Sequence, residues 1–278
     1  KARWQEPSPT LTVHTSGSTG EPRPMQADKL SMWNSAQATV SALGLQPGNT
    51  ALLAMPLRYI AGQMMVVRSL AAQLQLWPVV PSLHPYAGLH EAPDFAALTP
   101  MQVYESLRVP HERSLLRRTL CLIIGGGPIT AELETALQTF PHAVWSTYGM
   151  TETLSHIALR RLNGPTASTA YKPLDGVRVS LSPQGTLQIE APQVHEGLLV
   201  TNDLAELLPD GSFRILGRRD NVIDSGGLKM QAEAIEAKLS DLPVPFLITA
   251  APDERTSAPA TLTYAARHDP PGQLADLP

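Results

Sequence analysis

The chain has 278 residues, 43% of them apolar, so a large domain, or one with part of a second, is expected rather than one small core. A net charge of -4 argues against a nucleic-acid partner, which normally requires a basic face, but says little about a small anionic substrate. The single cysteine, Cys121, rules out an intrachain disulfide; within the apolar run 120–124 it reads as a buried thiol, in keeping with a cytoplasmic setting. The opening residues lack the apolar core of a signal peptide, and no stretch approaches the roughly 20 apolar residues of a membrane span.

Apolar strand-like runs alternate with amphipathic helices through the first half. Residues 11–15 read as a strand leading into a Gly/Ser/Thr loop. Asp28 then caps a helix running to about Leu43. Residues 50–56 predict a strand, 62–77 a helix and 95–99 a short strand, after which Pro100 suits the first turn of another helix. A strand over 120–126 breaks at three glycines, Thr130 caps the next helix, and 142–149 is again a strand. This alternation predicts a layered α/β domain with a largely parallel sheet. From about Tyr171 the pattern changes to hairpins turning on Pro-Gln-Gly (183–185) and Pro-Asp-Gly (209–211), a β-rich subdomain. A charged joint at 217–221 precedes one helix (231–239) and one apolar strand (245–250).

Residues 15–24 read Thr-Ser-Gly-Ser-Thr-Gly-Glu-Pro-Arg-Pro directly after a strand. Glycines let backbone N–H groups approach an anion and hydroxyls add donors, so such a loop can cradle a polyphosphate. The Gly-Lys-Ser/Thr ending of a Walker loop is missing, and by composition alone a plain polar turn is the competing reading. The residues also resemble the phosphate-binding signature of the adenylate-forming superfamily, which includes acyl-CoA synthetases, luciferases and peptide-synthetase adenylation domains. Thr15, Ser16, Gly17, Ser18, Thr19, Gly20 and Pro22 agree with it. Arg23 stands where that family usually has lysine, keeping the charge and adding planar phosphate contacts.

Further motifs match the family. Residues 148–153, Tyr-Gly-Met-Thr-Glu-Thr, would by themselves pass for a capped turn; the resemblance implies that Tyr148 stacks on adenine beside Gly149, Thr151 contacts the α-phosphate and Glu152 holds Mg²⁺. Gly125, Gly126 and Gly127 match a loop lying against adenine and the acyl group. Thr201-Asn202-Asp203 is similar to the family's Thr-Gly-Asp, in which the aspartate binds the ribose; a plain hairpin aspartate is the alternative. Arg218 matches a second ribose contact and Asp220 the hinge of a small C-terminal domain. The resemblance therefore implies an adenylate-forming large domain over 1–219, β-rich from about 171, and the start of a mobile, incomplete α+β domain over 220–278.

Acid specificity falls to the pocket. Residues 56–62 occupy the segment that lines the acyl site in relatives, with Tyr59 where many CoA ligases carry histidine; Arg58 is either a surface arginine or a pocket cation. Ser155, His156 and one of Arg58 or Arg160 are candidates to grip a second carboxylate, although a lone histidine beside a strand is commonly structural. Stretches 56–68, 148–164 and 217–236 resemble o-succinylbenzoate–CoA ligases more than other members. Within the last of these, Gly227 and Lys229 resemble a segment that helps bind CoA, a solvated lysine being the alternative. The implied reaction is adenylation of a carboxylic acid by ATP with Mg²⁺, then thioester formation with CoA. The family's late Gly-Lys segment has no counterpart after Asp220, since Lys229 and Lys238 lie too early. A chain complete in itself is expected to be slow in the first step.

Overall fold

The computed structural model describes residues 2–14, 24–225, 228–239, 246–250 and 260–264. A short helix, α1 (Ala2–Gln5), precedes β1 (Thr10–His14), which pairs antiparallel with β2 (Pro24–Asp28). Helix α2 (Lys29–Leu43) begins where the Asp28 carboxylate accepts the Ser31 N–H at 2.8 Å, and stops at Gly44, whose φ of 64° suits glycine. Next come β3 (Thr50–Leu53), α3 (Ile60–Ala71), β4 (Gln75–Pro78), β5 (Phe95–Leu98), α4 (Pro100–Arg108), α5 (Pro110–Arg118) and β6 (Cys121–Ile124). They are followed by α6 (Ala131–Gln138), β7 (Ala143–Gly149), β8 (His156–Arg161) and β9 (Lys172–Pro173). The hairpin region supplies β10 (Arg178–Leu181), β11 (Thr186–Glu190), β12 (Leu198–Leu207) and β13 (Phe213–Arg218), a four-stranded sheet in that order. The remaining described elements are β14 (Val222–Ser225), β15 (Leu228–Gln231), α7 (Ala232–Lys238), β16 (Phe246–Ala250) and β17 (Ala260–Tyr264).

Seven strands form the main sheet, ordered β4-β3-β5-β6-β7-β8-β9. The first five are parallel, and β8 and β9 return antiparallel. Parallel neighbours need long crossovers, which puts helices on both faces and buries the central strands twice over. All four residues of β5 and of β6 are accordingly buried. Alternation along these strands separates two cores. Leu52, Ala96, Leu98, Leu122 and Ile124 pack with Val103, Leu115, Leu116, Leu133 and Leu137 from α4, α5 and α6. Ala51, Leu53, Phe95, Ala97, Cys121 and Ile123 pack on the other face with Met65, Val40 and Leu43 from α3 and α2. Cys121 is buried as expected, and burial pushes its thiol up to about 12. The layered α/β expectation holds.

One expected element is corrected. The helix predicted over 62–77 ends at Ala71; Gln73 turns with φ of 53°, and Gln75–Pro78 becomes the edge strand paired with β3. The run Gln-Leu-Gln-Leu-Trp has the period of a strand as well as apolar character, and an open place beside β3 decides between the two.

The chain divides into two compact units: 1–180 with 188–199 and 207–214, and 181–187 with 200–206 and 215–278. The second has its own small core of Ile223, Ala232 and Ile248, with Ile235 and Leu239 against it.

Within the first unit, Asn163 fastens the end of the sheet. Its carbonyl accepts the Val144 N–H and Arg161 Nε–H at 3.0 Å each, and its amide donates to Phe140 O at 2.9 Å and His142 O at 2.7 Å. Asn163→Ala leaves the buried Val144 N–H and Phe140 carbonyl without these partners, while Arg161 Nε keeps the residue's backbone carbonyl, and is expected to lower the unfolding free energy by about 2–4 kcal/mol in urea titrations.

Candidate active site

Loops leaving all five parallel strands line a cavity of about 510 Å³. Ala54, Met55 and Pro56 follow β3, Pro81–Leu83 follow β4, Thr99 follows β5, Gly125 and Gly126 follow β6, and Met150 and Thr151 follow β7. The carboxyl ends of parallel strands are where open α/β sheets bind ligands, and the volume lies within the ~300–1,000 Å³ of small-molecule sites. Two glycines permit the tight construction. A Cβ on Gly62 would lie 2.5 Å from Pro56 O, and one on Gly149 would lie 2.3 Å from Ser155 O, at the bulge where β7 and β8 shift register.

One wall of the cavity is polar. Arg68, on α3, is 3% exposed and lines it together with Ser155 and His156. The Arg68 Nη2 group donates to Ser155 Oγ, Nη1 lies 3.7 Å from Met65 Sδ, and Nε has no partner. No carboxylate among the described residues pairs with this guanidinium. Burial lowers its pKa from 12.5 to about 10, so it remains charged at neutral pH. His156 is 6% exposed, with Nε2 3.1 Å from Thr39 Oγ1 and Nδ1 3.4 Å from Ser155 Oγ. Burial, and secondly the charge of Arg68, hold its pKa well below 6.5, so the ring is neutral. The turn before Ser155 is strained: Leu154 has φ of 63° and is held by the Thr153 hydroxyl, which accepts the Met150 N–H at 3.0 Å.

The structure brings Tyr59, Gly125, Gly126, Gly149, Thr151, Ser155 and His156 to this one cavity. Gly127 is not in the wall. Glu152 stands exposed on the one-turn helix Thr151–Thr153, next to the buried Thr151. Tyr148 packs in an aromatic cluster, with ring centroids 5.3 Å from Phe213 and 5.8 Å from Tyr171. Arg58 does not line the cavity; it is exposed, with its guanidinium 4.7 Å from the Tyr59 ring centroid. Nor does Arg160, which makes a two-pronged pair with the Glu134 carboxylate at 2.8 and 2.9 Å. The buried cation is Arg68 instead. Its signal in the sequence is an arginine four places after Met64 in an otherwise apolar helical stripe.

In the second unit, Arg218 donates to Asp203 at 3.3 Å and to Asp220 at 2.7 Å, so the two carboxylates share one cation. The hydrogen bond from Arg218 is the main cause that lowers the pKa of Asp220. Lys229 pairs with Asp224 in the β14–β15 ladder. Thr15, Ser16, Gly17, Ser18, Thr19, Gly20, Arg23 and Gly227 lie outside the described residues. Among those described, no group of three or more His, Cys, Asp or Glu side chains forms a ready-made metal cage. The donor set that is present, a single exposed carboxylate on a turn beside the cavity, fits Mg²⁺, which favours one or two carboxylates completed by phosphate and water oxygens.

A family model described as AMP-binding enzyme matches residues 1–202. The chain belongs to the AMP-binding enzyme family. A Bacillus cereus 2-succinylbenzoate–CoA ligase is 27% identical over 263 residues, covering 84% of this chain and 54% of the relative. The chain thus spans about half the length of the curated relatives it matches. Among solved structures, an acyl-CoA synthetase (AMP-forming)/AMP-acid ligase II-like protein from Dyadobacter fermentans is 33% identical with a TM-score of 0.75, covering 96% of this chain and 79% of that one. O-succinylbenzoate coenzyme A synthetase from Bacillus subtilis, solved with ATP and magnesium, shares the fold at TM-score 0.73 and 23% identity, covering 90% of this chain and 59% of that one. No described helix of this AMP-binding protein is long and apolar enough to cross a membrane.

Two predictions follow from the polar wall. Arg68→Met removes an uncompensated buried charge and is expected to raise the unfolding free energy of the ligand-free protein by about 1–3 kcal/mol, read by chemical denaturation. Unfolded His156 takes a proton near pH 6.5, whereas the buried ring resists it, so the unfolded state binds more protons below that pH. Stability contributed above pH 6.5 is therefore lost as the pH falls. His156→Gln lacks this loss, and the stability of the parent relative to the variant should drop by up to about 1.4 kcal/mol per pH unit between roughly pH 6 and 5.

Proposed function

We propose that this chain carries the acid- and nucleotide-binding part of an AMP-forming acid–CoA ligase whose substrate is a dicarboxylic acid of the o-succinylbenzoate type. The observation that carries the proposal is Arg68: a charged guanidinium in a cavity wall with no carboxylate among the described residues to balance it and one N–H unpartnered there. A buried cation of this kind suits an anionic ligand group. The carboxylate that reacts has to stay free, so the group held by Arg68 is a second one. The names of the Bacillus cereus and Bacillus subtilis relatives point to the same acid.

Two steps follow. An oxygen of the free carboxylate attacks the α-phosphorus of ATP, the bond to the β-phosphate oxygen breaks, and pyrophosphate leaves with its electron pair. The sulfur of CoA then attacks the acyl carbon, AMP leaves, and the thiol proton passes to solvent. Neither step needs a protein nucleophile; both rest on positioning and charge stabilisation. Thr15–Gly20 and Arg23 hold the phosphates in this reading. Thr151 donates to the α-phosphate from the cavity wall, and Tyr148 covers adenine. Gly125 and Gly126 leave room for the base and acyl chain, and Tyr59 closes the acyl side. Asp203 and Arg218 take the ribose, Asp220 is the hinge, and Gly227 and Lys229 face CoA. Bound Mg²⁺, held by Glu152, offsets the charge that builds on the phosphates.

Calorimetric titration with stable acyl-adenylate mimics tests this reading. The parent chain should bind the o-succinylbenzoyl mimic, and Arg68→Ala should weaken that binding about 30- to 100-fold. The same variant should leave unchanged the affinity for a mimic without the second carboxylate. Equal binding of both mimics by the parent points to a ligase for monocarboxylic acids. Failure to bind either would overturn the nucleotide-binding reading altogether.

A further inference from the structure

Arg68, Ser155, His156 and Thr39 form one unbroken hydrogen-bonded chain, and the chemistry at its two ends fixes its direction. At one end is the Ser35 carbonyl, which can only accept; Thr39 Oγ1 lies 3.1 Å from it. At the other end is the Arg68 guanidinium, which can only donate. With the Thr39 proton directed at Ser35 O, the Thr39 oxygen offers a lone pair to His156 Nε2, 3.1 Å away. In the assignment that satisfies every member, His156 carries its proton on Nε2 and Nδ1 accepts. The Ser155 hydroxyl donates to that Nδ1, and its own lone pair receives Arg68 Nη2. This assignment makes all four hydrogen bonds at once. A second proton on His156 would place a cation beside the buried guanidinium, and the low basicity of the ring agrees with its absence.

We infer that Thr39 and His156 are positioning residues for the acid site: together they turn the Ser155 hydroxyl inward, so that Ser155 holds Arg68 by its oxygen and does not donate to the ligand. The inference rests on the reading that Arg68 receives the second carboxylate of the acid. It refines the expected grip, in which Ser155 and His156 would contact that carboxylate directly. In this arrangement neither donates to it. Discrimination for the dianion is concentrated in one guanidinium, and its placement is set from behind by α2. Thr39 is wholly buried and lies on a different element from every other member of the chain except Ser35. In the opposite tautomer, Nδ1–H would donate to Ser155, whose proton would be released toward the cavity, where it would compete with Arg68 for the same anion.

The test is made on the 278-residue chain labelled with ¹⁵N-histidine, with the His156 resonances identified by their loss in His156→Gln. Long-range ¹⁵N–¹H spectra separate the two tautomers by the shifts of Nδ1 and Nε2. The parent should show the Nε2–H form. Thr39→Val, which keeps the shape and removes the oxygen, should populate Nδ1–H, and Thr39→Ser should restore Nε2–H. In parallel, Thr39→Val should weaken binding of the o-succinylbenzoyl adenylate mimic about tenfold, with the mimic lacking the second carboxylate unaffected. Nδ1–H in the parent, or an unchanged tautomer and an unchanged ratio of affinities in Thr39→Val, overturns the positioning role by itself. A parent that binds both mimics equally overturns the dicarboxylate reading and, with it, the purpose assigned to the chain, whatever the spectra show.

Discussion

Holding a guanidinium out of water without a counter-carboxylate is costly, because the charge loses hydration and gains no ion pair in return. Arg68 bears that cost in this fold, offset among the described residues by the Ser155 oxygen and the soft Met65 sulfur. The rest of the wall serves the same charge. His156 stays neutral beside it, Thr39 fixes the histidine from α2, and the strained Leu154 aims Ser155 at it. A fold selected for stability alone would place methionine or leucine at position 68. Retaining the arginine makes sense if a ligand supplies the missing anion, the kind of stability–function conflict that binding sites display.

The sheet explains how so many loops reach one place. Five parallel strands end on the same edge, so five separate connections deliver residues to the cavity without any of them travelling far. The antiparallel return of β8 then brings Ser155 and His156 back beside the end of β7, at a bulge that only a glycine at 149 permits. Helix α3 crosses close behind because Gly62 lets its first turn rest on the Pro56 carbonyl, which sets the height at which Arg68 enters the wall. A side chain at either glycine would clash with backbone, at Pro56 or at Ser155, and force the wall to shift.

Much of this architecture was legible from local chemistry. Asp28, Thr99–Pro100 and Thr130 mark helix starts by capping rules that act within four residues, and the structure shows each of those helices. The family resemblance singled out the glycine loop after β6 and the Tyr148–Thr153 turn, and of these Gly125, Gly126, Gly149 and Thr151 line the cavity. What was not legible depended on distance. The strand at Gln75–Pro78 needed a vacant edge beside β3. Arg160, on β8, looked available until Glu134, on α6, came within 2.8 Å. Arg68 was not singled out in the sequence, and only the closed fold shows it buried in the wall. Conversely, Thr39 carries no motif at all, and only the meeting of α2 with β8 gives its hydroxyl a role.

That division between the legible and the illegible follows the logic of the reaction. Every member of an adenylate-forming family handles the same triphosphate, ribose and adenine, so the residues for those parts can recur as short strings with fixed spacing. The acid differs from member to member, and what recognises it must be free to vary. In this chain the polar wall proposed to hold the acid comes from α3 and the start of β8, with α2 packed behind it, and more than a hundred residues separate α2 from β8. In the arrangement inferred above, the histidine matters through the threonine behind it that selects its tautomer, and the serine through the histidine that accepts its hydrogen bond. Such a dependency cannot appear as a string; it exists only once the sheet has closed. Substrate identity in this chain is therefore better sought in the polarity of a buried hydrogen-bond chain than in the motifs that reveal its family.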